Sequence, residues 1–378
     1  MGNINITFLL GAGFSKAVAD GPLLKDLWCH IEKAYKREKN RTDVSQKDKE
    51  LRINWYNSIN EFITKLEKAA ISRFRGRKFG HEYNLSVDIR DNLEYVFTLI
   101  DLHRDGPIVR FERKGTDVQP YPAIPCLFIT RDELEHVRKN LQTYIYLVLN
   151  RLKFNELAEK FSVVIAPSDQ IITFNYDLVL EKSLLHLDKW YPLNGYVGVH
   201  RFEKDSDGRD LEGQGKRSKI QIHKMHGSIN WRIPEPRSLE RLQGINEVMI
   251  VMDDWENNGF HFDGLLQRQP DKTKSPYVGR HEPESILPCF VKPFKEKEIF
   301  RIWQSAMRFM SNTKELVIIG YSFRPEDSNA FPLLSILPKK SERTLVDRNR
   351  KEVKKRLEIK GLKIVKTYKC LEDYLAGK

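Results

Sequence analysis

Cysteine is scarce in this chain and never clustered. Its four cysteines (Cys29, Cys126, Cys289, Cys370) stand far apart in 378 residues with no C-x-x-C pair. That spacing argues against a zinc module or a disulfide framework, and isolated buried thiols are the expectation. No run of 18 or more apolar residues occurs, and the N-terminus lacks the pattern of a secretory signal. The expectation is a cytoplasmic protein with no membrane segment. There is no G-x-x-x-x-G-K-[S/T], which argues against a P-loop NTPase. Acidic residues are outnumbered: 52 Asp and Glu face 64 Lys and Arg, and residues 31–80 alone hold 14 basic against 7 acidic side chains. Such a surplus attracts nucleic acid or an acidic protein surface. No nucleic-acid-binding motif accompanies it, so a partner or self-assembly surface is preferred and direct nucleic-acid contact stays open.

What is present begins with residues 4–28. The apolar, β-branched run Ile4 to Leu10 reads as a strand buried on both faces. It breaks into Gly11-Ala12-Gly13-Phe14-Ser15 and then into helical spacing through Leu23, Leu24, Leu27 and Trp28. Strand, glycine turn and helix N-terminus form a phosphate cradle, with unpaired N–H donors and partial positive charge at the helix start. The dinucleotide fingerprint asks for a third small residue where Lys16 stands. Taken alone, therefore, GAG is equally a structural turn.

Residues 30–160 read as mostly helical. Leu51, Trp55, Ile59, Phe62, Ile63, Leu66 and Ala70 share one face, Leu93, Val96, Phe97 and Ile100 another, and a helix spans Arg131 to Phe161. Loops are expected at 74–84, 105–130 and 201–218. From Val163 onward strands and helices alternate: strands at 163–174, 220–225, 247–252, 285–291, 316–320, 344–347 and 362–365, with a helix at 296–310. The fold class is α/β, a doubly wound parallel Rossmann-like sheet with a large helical insertion after the first strand-helix unit. Residues 1–30 and 161–378 are assigned to the core, and 31–160 to an insertion packed on it.

Polar residues gather where strands end, which is where open α/β sheets bind ligands. Asn175 and Asp177 follow the strand ending at Phe174; on local sequence, helix capping is the competing reading. His223 and His226 lie in the next strand, where alternation puts them on opposite faces. His223 reads as a satisfied structural histidine.

GAGFS at 11–15, FNYD at 174–177, HG at 226–227, GYS at 320–322 and VD at 346–347 come in the order of the sirtuin superfamily, which the chain resembles. The resemblance is closest to the bacterial sirtuin-like proteins that degrade NAD in antiphage defence. It implies a Rossmann core that binds NAD as substrate through Gly11, Ala12, Gly13, Phe14, Ser15, Asp177, Gly320, Ser322 and Asp347. It also implies catalytic roles: Asn175 orients the attacking water, Asp177 holds the carboxamide, and His226 acts as base. Two family features are missing, the four-cysteine zinc module and the stretch after the glycine loop, where residues 16–26 read KAVADGPLLKD. The expected activity is therefore cleavage of the nicotinamide–ribose bond by an NAD+ glycohydrolase without metal. The alternatives are an NAD-dependent deacylase and a non-catalytic NAD- or ADP-ribose-binding assembly subunit. The same resemblance implies a homo-oligomer and a separate partner, a HerA-type DNA-translocating ATPase or, second, a short Argonaute.

Overall fold

The computed structural model describes residues 6–43, 45–75, 89–90, 93, 96–97, 99–100, 130–198, 218–234, 249–250, 281–285, 297–323 and 330–378. The chain forms two compact units, one from residues 1–21, 149–286 and 293–378 and one from 22–148 and 287–292. In chain order the strands are β1 (Ile6–Leu10), β2 (Gln170–Thr173), β3 (Gln221–Lys224), β4 (Gly227–Pro234), β5 (Met249–Ile250), β6 (His281–Ser285), β7 (Glu315–Ile319), β8 (Glu342–Val346) and β9 (Lys366–Tyr368). The helices that matter below are α1 (Ala12–Ala19), α2 (Leu27–Lys39), α3 (Gln46–Arg75), α4 (Arg131–Leu149), α5 (Glu156–Val164), α6 (Val179–His186), α7 (Lys297–Met310), α8 (Ala330–Ser335) and α9 (Arg350–Ile359).

The first unit is built on a six-stranded sheet of order β3-β2-β1-β7-β8-β9. Every neighbouring pair in it is parallel. Counting only its own strands, the order is 3-2-1-4-5-6, the doubly wound arrangement of a Rossmann-like fold. The central strands β1, β2 and β7 are buried almost throughout. Their sequences are apolar without alternation because helices cover both faces. The order reverses at β1, so the crevice beyond the carboxyl ends of β1 and β7 is the topological switch point. A second, antiparallel sheet of order β5-β4-β6 grows from the turn that follows β3.

Several sequence-based boundaries move. The helix expected over 131–161 is two: α4 ends at Leu149, and α5 starts after Asn155, whose side chain accepts from the N–H groups of Leu157 and Ala158. Val163 and Val164 close α5 instead of opening a strand, and both are exposed. A short apolar run fits either state, and here the long side chain of Lys189 decides it, donating to the carbonyls of Ser162, Val163 and Ile165 at the helix end. The last strand lies at Lys366–Tyr368 and not at 362–365. Of the expected loops, residues 76–84, 105–129 and 201–217 lie outside the described residues, as do 286–291 of an expected strand.

The second unit contains α2, α3 and most of α4. Ile59, Phe62, Ile63 and Leu66 of α3 are buried, while Leu51, expected on the same stripe, is 44% exposed. A carboxylate is buried here: Glu38 is paired with the buried Arg52 and with Arg41 at 3.2 Å. Arg41 in turn holds Asp43 through two hydrogen bonds. Cys29 is exposed and Cys370 half-buried, so neither is the buried thiol expected; Cys126 and Cys289 lie outside the described residues. Among the described residues no helix is long and apolar enough to cross a membrane.

Candidate active site

The glycine loop leaves β1 and is joined at once to the end of β7. Gly11 N–H donates to Ile319 O at 3.0 Å and Gly13 N–H to Gly320 O at 2.9 Å. A Cβ on Gly13 would lie 2.7 Å from Gly320 Cα, and one on Gly320 would lie 2.4 Å from Gly13 C and Phe14 N. Gly320 also sits at φ +61, in the left-handed region. The glycines thus permit two backbone segments to touch across the switch point. Their N–H groups are held by protein carbonyls, so the cradle expected from Gly11, Ala12 and Gly13 together is narrower. Ala12 is exposed at the head of α1, and among the described residues its N–H has no partner within the protein. That donor and the partial positive charge of the α1 N-terminus are what the loop can offer an anion.

Ser15, Asn175 and Asp177 form one network. Asn175 Nδ2 donates to Gly11 O and to Ser15 Oγ, both at 2.9 Å. Ser15 Oγ donates to Asp177 Oδ2 at 2.7 Å, and Asp177 Oδ1 accepts from Val179 N–H at 3.1 Å. Asp177 thus steadies the start of α6 from one position before its N-cap, Leu178, which carries no side-chain cap, while its carboxylate also reaches the glycine loop. Asn175 caps nothing and braces the loop. A side-chain amide has two N–H hydrogens and one carbonyl oxygen. With both hydrogens turned toward Gly11 and Ser15, Oδ1 is the atom Asn175 keeps for a water or a hydroxyl.

His226 lies in the turn between β3 and β4 and is buried. Its ring packs edge-on against Phe174 at 5.1 Å and beside Tyr176 at 5.8 Å, the two neighbours of Asn175. The turn is stitched to that segment by Met225 N–H to Thr173 O and Ile229 N–H to Tyr176 O. Residues 169–331 match the family model of the SIR2-like domain. The chain carries a SIR2-like domain. No curated protein sequence matches the chain.

The matched span includes Asn175, Asp177, His226, Gly320 and Ser322; β1 with its glycine loop and Asp347 lie outside it in sequence. The loop is nonetheless joined to the matched span through the hydrogen bonds just described. Phe14 is buried in the core against Phe161, with ring centroids 5.0 Å apart, and offers a ligand nothing. Ser322 and Asp347 occupy the ends of β7 and β8. Among the described residues no hydrogen bond joins either to Asn175 or Asp177. Asp347 Oδ1 accepts from Asn349 N–H at 2.7 Å, and burial raises its carboxyl above the usual range. The carbonyls of Ser322 and Phe323 accept from Arg356 of α9, which steadies this side of the crevice.

His223 takes no part in the site. It is fully buried, with Nδ1 3.3 Å from Ile171 O and Nε2 3.2 Å from Ser305 Oγ, and burial lowers its pKa to about 4. Among the described residues no group of three or more His, Cys, Asp or Glu is placed to hold a metal ion.

Sequence reasoning missed three residues of the SIR2-like domain. Tyr321 stacks on Phe174 with centroids 4.3 Å apart, tying β7 to the Asn175 segment. Lys224 and Glu181 form an ion pair at 2.8 Å with each side chain 1% exposed. A signal for Lys224 existed: strand alternation puts it on the same face as Ile220 and Ile222, two residues before His226 of the HG motif, and a lysine on an apolar face is costly unless paired.

Proposed function

We propose that this chain is an NAD+ hydrolase that cleaves the nicotinamide–ribose bond to nicotinamide and ADP-ribose. The observation that carries the reading is the meeting, at the carboxyl ends of three parallel strands, of the glycine loop of β1, Asn175 and Asp177 after β2, and His226 after β3. SIR2-like domains are typically NAD-dependent enzyme domains, which gives the ligand class. The widely spaced cysteines of the sequence lack the zinc module of the deacylases and favour hydrolysis over deacylation.

Breaking the C1′–nitrogen bond leaves an oxocarbenium-like ribosyl centre and neutral nicotinamide. In this reading the Ala12 N–H and the α1 N-terminus take the pyrophosphate. The Asp177 carboxylate accepts from the carboxamide. Asn175 Oδ1 accepts a hydrogen from the attacking water, directing its oxygen at C1′. His226 takes the proton released as water adds, so the products are nicotinamide, ADP-ribose and a proton. The bound form would be held by groups already fixed among themselves, which is how positioning lowers a barrier. Assembly into a homo-oligomer, control by a separate partner and a role in defence through NAD depletion belong to the same proposal.

The test is nicotinamide release by the purified protein, without any acylated peptide. His226→Ala is expected to reduce turnover about 10²–10⁴-fold, the usual loss for a positioned base, with thermal unfolding preserved. Unchanged turnover in folded His226→Ala removes His226 from the mechanism. Release only in the presence of acylated peptide selects a deacylase, and binding of NAD without turnover in any assembly state selects a nucleotide-sensing subunit.

A further inference from the structure

Beneath the candidate active site runs a polar chain that the mechanism above does not use. Lys224 Nζ donates to the main-chain carbonyl of Asp177 and pairs with Glu181 of α6. Glu181 Oε1 is 3.3 Å from the Tyr196 hydroxyl, which lies 3.5 Å from the Asn230 side chain in β4. Lys224, Glu181, Tyr196 and Asn230 are all buried, and burial pushes the Glu181 carboxyl upward. Through Asp177 and Ser15 the same chain continues to Asn175 and Gly11. It therefore links the ends of β1, β2 and β3 to the middle of β4.

Stability does not explain such a pair. Two charges taken out of water regain little net free energy, and apolar side chains of similar volume commonly serve the fold as well. What the pair supplies is geometry. Lys224 lies on β3 two residues before His226, and its ammonium group grips the backbone of the turn that presents Asn175 and Asp177. An apolar side chain fills space without fixing a carbonyl, whereas a charge-assisted hydrogen bond fixes its direction and distance. We infer that Lys224, held by Glu181, is a positioning residue: it sets the Asn175–Asp177 turn against His226 for the bond-cleaving step. This rests on the NAD-hydrolase reading, since it assigns the reacting groups.

The experiment replaces the pair by apolar groups, Lys224→Met with Glu181→Leu, and measures thermal unfolding, kcat and KM for NAD. A milder variant, Glu181→Gln, keeps the shape and the hydrogen bond but removes the charge. The expected result for the double variant is a thermal midpoint close to that of the wild type, a KM within about threefold, and a kcat lower by about 10–100-fold, because misplacement near 1 Å costs about 10²-fold. Glu181→Gln should lie between. A folded double variant with unchanged kcat overturns the inference, as does a rise in KM alone, which would mark a residue of uniform binding. If the double variant does not fold, the same two readings on Glu181→Gln decide. If the wild type releases no nicotinamide, the hydrolase reading fails separately. Amide hydrogen exchange then decides the positioning: faster exchange over 174–179 and 225–229 in the variant, relative to β7 and β8, supports it, and unchanged protection refutes it.

Discussion

Replacing Gly320 by alanine tests the contact on which the switch point depends. The new methyl would meet Gly13 C and Phe14 N at 2.4 Å, where ordinary van der Waals contact starts at 3.4 Å. Both atoms are backbone and cannot swing aside, so the two segments must part by about 1 Å, the shortfall from that contact distance. Holding alanine at φ +61 adds ~1–2 kcal/mol. Parting the segments also weakens the Gly13 N–H to Gly320 O hydrogen bond, a further ~0.5–1.5 kcal/mol. The sum is about 1.5–3.5 kcal/mol, or a fall of roughly 3–14 °C in the midpoint of a unit this size. Two controls separate the contributions. Gly361 has φ +85 with nothing within 4 Å of an added Cβ, so Gly361→Ala carries the backbone cost alone. Gly13→Ala carries the clash without a left-handed φ, its Cβ lying 2.7 Å from Gly320 Cα. Urea unfolding of the three variants should rank Gly320→Ala as most destabilised, by at least about 0.5 kcal/mol beyond Gly361→Ala. NAD binding should weaken in Gly320→Ala and Gly13→Ala and hold in Gly361→Ala. A Gly320→Ala protein no less stable than Gly361→Ala, with NAD binding intact, would refute the reasoning.

Other outcomes follow from the same structure. His223 is neutral in the folded protein, with a pKa of about 4 against about 6.5 unfolded, so between those values only the unfolded chain takes up the proton. Stability should therefore fall as pH drops from about 6.5 toward 4, by up to about 3 kcal/mol; urea titrations at pH 5 and 7.5 check this, and a folded His223→Gln should flatten the dependence. Activity should survive strong chelators and purified protein should carry no stoichiometric zinc, because the sequence has no cysteine cluster; about one zinc per chain by metal analysis would contradict it. Reversing Lys36 and Lys39, both exposed, should alter assembly state or partner binding without moving NAD affinity. Arg37 and Arg41 are unsuited to that test, since each is paired with buried Glu38. Salt-sensitive DNA binding lost on the Lys36 and Lys39 changes would instead mark this surface as a nucleic-acid site.

The sheet was legible in the chain because strands buried on both faces cannot hide their composition. Ile6–Leu10, Gln170–Thr173 and Glu315–Ile319 each belong to an apolar run between turn signals, and their alternation with helices already implied parallel pairing. Residues 163–165 misled for the same reason: Val-Val-Ile is apolar in either state, and only the distant Lys189 shows that a helix ends there. Site residue types were legible too, since a polar side chain directly after a buried strand marks a ligand-facing end. Their partners were not. That Asn175 turns both amide hydrogens inward, or that Ser15 joins it to Asp177, depends on contacts 160 or more residues apart in sequence.

The sequence by itself determined the central strands of the six-stranded sheet, that these run parallel, and which chemical groups stand at their ends, because these follow from local composition and from the cost of burying backbone polar groups. Only the tertiary structure decided what those groups do to one another. Gly11 and Gly13 are glycines because Gly320 comes within touching distance from a strand three hundred residues away. Lys224 is buried because Glu181 waits for it on a different element. Packing density and hydrogen-bond direction are properties of pairs brought together across the fold, and no local pattern encodes the partner.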